Sequence, residues 1–188
     1  MIEDFSLHPL EDPQYIKTYL AKYTQDGTAK DWEVLDAHDS VAILIYHTEH
    51  DSFVLVRQFR PAVYLKNNDG TTMELCAGLV DKDKSLTEIA KEEILEECGF
   101  DVPTENIKKI TSFYTSVGFA GSRQTLYYAE VDESMHLNDG GGIDDEQIEV
   151  IEMPVSEAKD FIFDESVAKT PGLMFAFMWW IEKLESKK

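Results

Sequence analysis

Three glutamates, Glu93, Glu96 and Glu97, stand at i, i+3 and i+4 in the stretch GLVDKDKSLTEIAKEEILEECGF, residues 78–100. On a helix such residues share one face, with neighbouring Cβ atoms about 5–6 Å apart. Like charges that close destabilise a helix, and Lys91 points elsewhere on the wheel. A cation between the carboxylates would turn repulsion into binding. Hard oxygens at this spacing suit Mg²⁺, which takes a few protein carboxylates and keeps its other positions for water and substrate phosphates. A solvated acidic face is the competing reading. An EF-hand fails on two positions. Asp81, Asp83, Ser85 and Glu92 fall at positions 1, 3, 5 and 12 of such a loop, but position 6, which must be Gly, is Leu86, and position 8 is the charged Glu88.

The helix that must present these glutamates has its own start and stop signals. Apolar Leu86, Ile89, Ala90 and Ile94 recur at helical spacing. Ser85 and Glu88 form an S-x-x-E capping box, and Gly99 is a natural C-terminal cap. Strands precede it. Residues 15–24 and 30–36 flank the turn dipeptide Asp26-Gly27, a hairpin signal. Residues 40–46 and 53–60 follow, separated by a polar turn that places His47 and His50 at the surface, and the turn Asn67-Asn68-Asp69-Gly70 leads into a short strand over 72–76. After the helix come strands over 107–115 and 123–131, a flexible glycine loop over 138–142 and a last strand over 147–153. Two helices close the chain, over 156–163 and 171–185, the second with Thr170 at the N-cap and Pro171 at N1. That second helix is apolar nearly all round, which predicts burial on more than one side in the core, with a share in a dimer interface as the alternative. The order implies an α/β fold, a mixed sheet with helices packed on it.

Composition bounds the partners. The chain has 188 residues with 17 Lys and Arg against 37 Asp and Glu, a formal net charge of −20. One domain spanning 1–188 accommodates that length. Such acidity argues against nucleic acid, which needs a basic face, and against an anionic membrane surface. The start, MIEDFSLHPL, carries acids where a secretory signal needs positive charge, and the longest apolar run, Leu173 to Ile181, is far short of the roughly 18 residues a membrane span needs. With two cysteines, Cys76 and Cys98, read as free thiols, these features predict a cytoplasmic protein. The five histidines show no metal-ligand spacing.

The stretch 78–100 resembles a Nudix box, G-x5-E-x7-R-E-U-x-E-E-x-G-U with U apolar. Gly78, Glu93, Ile94, Glu96, Glu97, Gly99 and Phe100 match at the required spacing. Two positions depart: Lys84 stands where the family has Glu, and Glu92 where it has Arg. Both are charge reversals, so an ion pair between loop and helix is expected with its partners exchanged; the alternative is a decayed box. Segments QFRPAVY (58–64), ELCAGLVD (74–81), SVGFAGSRQT (116–125) and GGGIDDEQIEV (140–150) are similar to the UDP-sugar pyrophosphatase branch of the Nudix hydrolases, kin of the ADP-ribose pyrophosphatases.

That resemblance implies an α/β/α sandwich, a homodimer to which the hairpin of 1–37 contributes, and Mg²⁺-dependent cleavage of a nucleoside diphosphate sugar, with Mn²⁺ as a substitute ion. UDP-glucose would give UMP and glucose 1-phosphate. ADP-ribose is the rival substrate, and a non-catalytic nucleotide- or protein-binding module the rival function. The resemblance makes Glu93 and Glu97 the first metal ligands and Glu96 the third, with the Ala77 carbonyl and the Glu74 carboxylate completing the site; Glu74 as an ordinary strand residue is the alternative. Arg60 and Arg123 are the candidate phosphate grips, since guanidinium binds phosphate oxygens bidentately; the alternative for Arg60 is a pair with a surface acid. Glu146 is the candidate general base, with Asp145 and Asp144 behind it and Glu96 as a further catalytic carboxylate. Trp32 is the candidate surface for stacking the nucleotide base; a half-buried strand aromatic is the alternative.

Overall fold

The apolar run Val41–Ile45 is enclosed on both sides, which explains why it lacks the alternation of a half-exposed strand. It lies in β3 (Ser40–His47), at the centre of a seven-stranded sheet. Val41, Ile43 and Ile45 join one apolar cluster, and Ala42 and Leu44 join another on the opposite face. β4 (Ser52–Phe59) divides in the same way, Val54 and Val56 to one side, Phe53 and Leu55 to the other. Helix α2 (Leu86–Cys98) covers the first face through Ile89, Ala90 and Ile94; α3 (Ala158–Phe161) and α4 (Pro171–Glu185) cover the second. The result is the expected α/β/α sandwich. The computed structural model describes residues 2–143 and 145–186.

The sheet runs β5-β4-β3-β8-β7, with β6 also paired to β3 and β9 to β4. Here β5 is Thr71–Glu74, β6 Cys76–Leu79, β7 Lys108–Tyr114, β8 Arg123–Val131 and β9 Ile148–Pro154. β3 and β8 are parallel, and the other pairs are antiparallel, so the sheet is mixed. The N-terminal hairpin, β1 (Ile16–Gln25) and β2 (Thr28–Ala37), forms a separate two-stranded sheet. Its turn residues Asp26 and Gly27 have φ of 51° and 77°, the two positive values a tight two-residue hairpin turn requires. Among the described residues no helix is long and apolar enough to cross a membrane.

Several local expectations are corrected. A helix not foreseen, α1 (Pro61–Asn67), follows β4. The strand expected over 72–76 is two strands, β5 and β6, parted at Leu75. The helix expected over 156–163 is a short 3₁₀ turn, Val155–Glu157, followed by the single turn of α3. Helix α4 is buried on one face only, through Leu173, Ala176, Phe177 and Trp180; Phe175 and Met178 stand 47% and 48% exposed on the other. His47 is not at the surface. It ends β3 opposite Val131 of β8 and is fully buried. Cys76 and Cys98 are free thiols, both buried.

Candidate active site

Helix α2 starts and ends where its signals place it. Ser85 accepts the Glu88 N–H while Glu88 reaches back to the Ser85 N–H, and Gly99 closes the helix at φ 80°. The capped helix lies against β6, and two contacts fix the glutamates there. The Ala77 N–H donates to Glu97 Oε2 at 2.9 Å. Gly78 faces Glu93 so closely that a Cβ there would fall 2.0 Å from its carboxyl carbon. A side chain at 78 and the observed place of Glu93 are therefore mutually exclusive.

This crowding changes the acidity of the group. Burial, reinforced by the charges of Glu96 and Glu146, pushes Glu93 up to about 7. Burial pushes Glu97 up to about 8, against the opposing Ala77 N–H and with help from the Glu93 and Glu146 charges. Carboxylates so placed are short of positive charge. Their donors are hard carboxylate oxygens, the type that suits a small divalent cation.

Arg60 precedes Pro61, which disfavours a helical conformation at 60 and leaves it extended at φ −118° as the N-cap of α1. Its N–H donates to the Gly70 carbonyl at 2.8 Å, closing the connection between β4 and β5. The side chain then reaches Glu74 in a fork, Nε to Oε1 at 2.8 Å and Nη2 to Oε2 at 2.7 Å. The Thr72 hydroxyl donates to the same Oε1 at 2.6 Å. Burial opposes ionisation of Glu74, but Arg60 and Thr72 outweigh it and hold the carboxyl below its usual range. The guanidinium also feels the charges of Glu97 and Glu146, so it belongs to the same electrostatic group.

The loop carrying Glu146 is packed onto α2 rather than loose. Gly141 and Gly142 donate their N–H groups to the carbonyls of Glu97 and Glu96 at 2.9 and 3.0 Å. Gly140, at φ 64°, approaches so near that a Cβ would lie 2.3 Å from the Glu97 carbonyl oxygen. Orphan carbonyls at the helix end are thereby satisfied. Glu146 Oε2 accepts the Ile143 N–H at 3.0 Å. Asp145 is exposed beside it, and Asp144 lies outside the described residues.

A profile of the NUDIX domain matches residues 36–170. The chain belongs to the Nudix family. Uridine diphosphate glucose pyrophosphatase NUDT14 of Bos taurus is 36% identical over 195 aligned residues, covering 88% of each chain. The protein of that name from Mus musculus is 34% identical over 199, covering 90% of each. GDP-mannose pyrophosphatase of Cronobacter sakazakii is 43% identical over 147, covering 74% of this chain and 75% of its own. Within the Nudix box the two reversed charges meet: Lys84 Nζ bonds Glu92 Oε1, and Lys82 Nζ lies 3.3 Å from Glu92 Oε2. The expected ion pair between the box loop and helix α2 is thus present, with Lys on the loop and Glu on the helix.

The structure gathers Arg60, Glu74, Ala77, Glu93, Glu96, Glu97 and Glu146 into one region. Arg123 and Trp32 belong to a neighbouring one. The Arg123 N–H donates to Asp39 Oδ1 at 2.8 Å, and the Asp39 carbonyl accepts the Val80 N–H at 2.8 Å, so Asp39 ties the start of β8 to the box loop. The Arg123 guanidinium makes no hydrogen bond or ion pair among the described residues. Trp32, 56% exposed, donates Nε1–H to the Gly118 carbonyl at 2.6 Å and borders an open hollow with Tyr19, Val34 and Phe119. Sequence reasoning did not single out Thr72 or Asp39. Both act through pairings distant along the chain, and no local spacing signals them.

Proposed function

We propose that the chain hydrolyses the pyrophosphate bond of a nucleoside diphosphate sugar in a Mg²⁺-dependent reaction, with UDP-glucose giving UMP and glucose 1-phosphate. The observation that carries this reading is the convergence of Glu93 and Glu97 on Ala77 and Gly78, with both carboxyls titrating far above their usual range. Glu93, Glu96 and Glu97, with the Ala77 carbonyl and Glu74, would hold the ion. Bound there, Mg²⁺ supplies charge neutralisation on the diphosphate and acidifies a water.

The protein's own groups do the rest. Arg60 and Arg123 grip non-bridging phosphate oxygens. Arg60 is already forked to Glu74, so it meets substrate by turning its remaining N–H donors outward. Glu146 takes the proton of the attacking water as the new P–O bond forms and the bridging P–O bond breaks. Trp32 offers its exposed ring to the nucleotide base, and the hairpin it stands on is the proposed contact with a second copy in a homodimer.

UDP-glucose takes first place because the relatives named for it match 88–90% of the chain. GDP-mannose is the second reading, favoured by the 43% identity to the Cronobacter sakazakii protein over a shorter span. The test is a panel of UDP-glucose, GDP-mannose and ADP-ribose with Mg²⁺, followed by phosphatase release of inorganic phosphate from the products. UDP-glucose should be cleaved with the highest kcat/KM. Preference for GDP-mannose would select the second reading, and no cleavage of any would leave a binding module.

A further inference from the structure

A cluster distant from the catalytic glutamates has the chemistry of a transition-metal site. His47 ends β3, six residues beyond Val41, which pairs with Gly78 of the Nudix box. At a strand rise of about 3.3 Å per residue that is roughly 20 Å along the sheet. The His47 ring is fully buried, and its Nε2 has no hydrogen-bond partner among the described residues. Buried polar nitrogens are almost always satisfied, so this one calls for an explanation. It faces Glu133 Oε1 at 3.6 Å, too long for a hydrogen bond.

His50 stands over it, ring stacked on ring at 3.9 Å between centroids and 7° between planes. Its Nε2 lies 3.4 Å from the same Glu133 Oε1. Its Nδ1 lies 2.9 Å from Glu152 Oε2, which also accepts the Ser52 hydroxyl at 3.0 Å. An ionised carboxylate only accepts, so His50 Nδ1 carries the hydrogen and, in the neutral ring, Nε2 carries the lone pair. A carboxylate behind a histidine is the arrangement that orients imidazole ligands toward metals. The trio whose ligand atoms lie within 4.8 Å of one another is His47, His50 and Glu152; Glu133 joins the two histidines through the 3.6 and 3.4 Å separations.

We propose that His47 Nε2, His50 Nε2 and Glu133 Oε1 bind a Zn²⁺ ion, with Glu152 as the carboxylate that orients His50 and water completing the tetrahedron. Zinc bonds of about 2.0–2.1 Å separate tetrahedral ligands by about 3.3 Å. The two nitrogen-to-Glu133 separations, 3.6 and 3.4 Å, are close to that edge. Mixed imidazole and carboxylate donors select Zn²⁺ or its transition-metal neighbours over Mg²⁺. Two adjustments accompany binding. His50, 41% exposed, tilts off the stack to aim its lone pair at the shared point. The proton of His47 moves to Nδ1, giving up the long 3.3 Å contact from the His50 N–H. The ion would pin the turn between β3 and β4 to the segment at Glu133.

The test titrates the full chain with Zn²⁺ in saturating Mg²⁺, reading metal stoichiometry, affinity and Tm, with Co²⁺ absorption as a report of tetrahedral coordination. The comparison is with His50→Ala and Glu133→Gln. Both residues are exposed, and neither belongs to the proposed catalytic group, so hydrolysis should persist. Zinc taken up by the catalytic carboxylates is common to all three proteins and cancels. The wild type should bind one ion more per chain and gain Tm, with affinity at this site at least tenfold weaker in each variant. Equal stoichiometry, or weakening of less than tenfold in both variants, overturns the proposal. If His50→Ala does not fold, Glu133→Gln alone decides.

Discussion

Arg60 holds Glu74 in a two-pronged ion pair, 2.8 and 2.7 Å, although both residues are candidates for the substrate and metal site. Removing one partner of such a pair leaves a largely buried carboxylate with only Thr72 to satisfy it. Arg60→Ala should therefore lower unfolding stability at pH 7 by about 1–3 kcal/mol, the scale of a hydrogen bond to a charged group. Glu74 titrates below its usual range when paired, so the contribution is present above the unfolded-state value and is lost as pH falls through the folded one. Urea titrations of both proteins should show the gap at pH 7 narrowing as the solution becomes strongly acidic. A gap independent of pH would assign the loss to packing instead.

Gly78 tests how tightly Glu93 is positioned. An alanine Cβ would fall 2.0 Å from the Glu93 carboxyl carbon, so the carboxylate must move. Gly78→Ala should reduce kcat by roughly 10²-fold, the order expected from a misplacement near 1 Å. It should also raise the Mg²⁺ concentration needed for half-maximal rate. Unchanged metal dependence would show that Glu93 is not a ligand.

Protons and metal should compete at Glu93 and Glu97. With folded-state values of about 7 and 8, both lie above the ordinary carboxyl value. Raised carboxyls bind more protons folded than unfolded, so the metal-free protein loses stability from this source as pH rises from about 4.5 through 8. Ligands must shed those protons, so Mg²⁺ affinity should climb between pH 6 and 9. Glu97→Gln should raise the Tm of the metal-free protein at pH 9, where the native carboxylate is charged, and much less at pH 5, where it is already neutral. An equal effect at both pH values would contradict the assignment.

The exchanged pair of Lys84 and Glu92 makes a reversible prediction. Both side chains are partly exposed, at 45% and 30%, so the pair is worth at most about 1 kcal/mol. Lys84→Glu alone should lower stability by that order and reduce activity through the adjoining helix. Adding Glu92→Arg should restore both. If Lys84→Glu leaves stability and activity untouched, the idea of an exchanged pair is wrong.

The local parts of this site were readable along the chain. The spacing of Glu93, Glu96 and Glu97 and the caps at Ser85 and Gly99 are codes written within one or two helical turns, and the structure places them so. What was not readable depends on distant partners. Helix α1 has only seven residues and is held by the contact from Arg60 to Gly70, not by an apolar period. His47 looks like a turn residue until β3 pairs with β8 along its whole length, which carries 47 into the interior beside Val131. The glycines at 140–142 suggested looseness, but their N–H groups supply bonds that the end of α2 lacks.

Glu146 separates binding from chemistry. As the proton acceptor for water it should matter to the transition state more than to substrate binding. Glu146→Gln should lower kcat by roughly 10²–10⁴-fold with little change in KM. Near wild-type turnover would remove Glu146 from that role.

Glu93 and Glu97 are proposed to hold the divalent cation that hydrolysis of a nucleotide sugar's pyrophosphate would require. The most direct measurement follows UDP-glucose and Mg²⁺ with wild-type protein, Glu93→Gln and Glu97→Gln, resolving UMP and glucose 1-phosphate. The wild type should give both products in equal amounts, none after chelation of the metal, and each variant should lose several orders of magnitude in rate. Product formation by the variants at the wild-type rate, or by the wild type without metal, would contradict it.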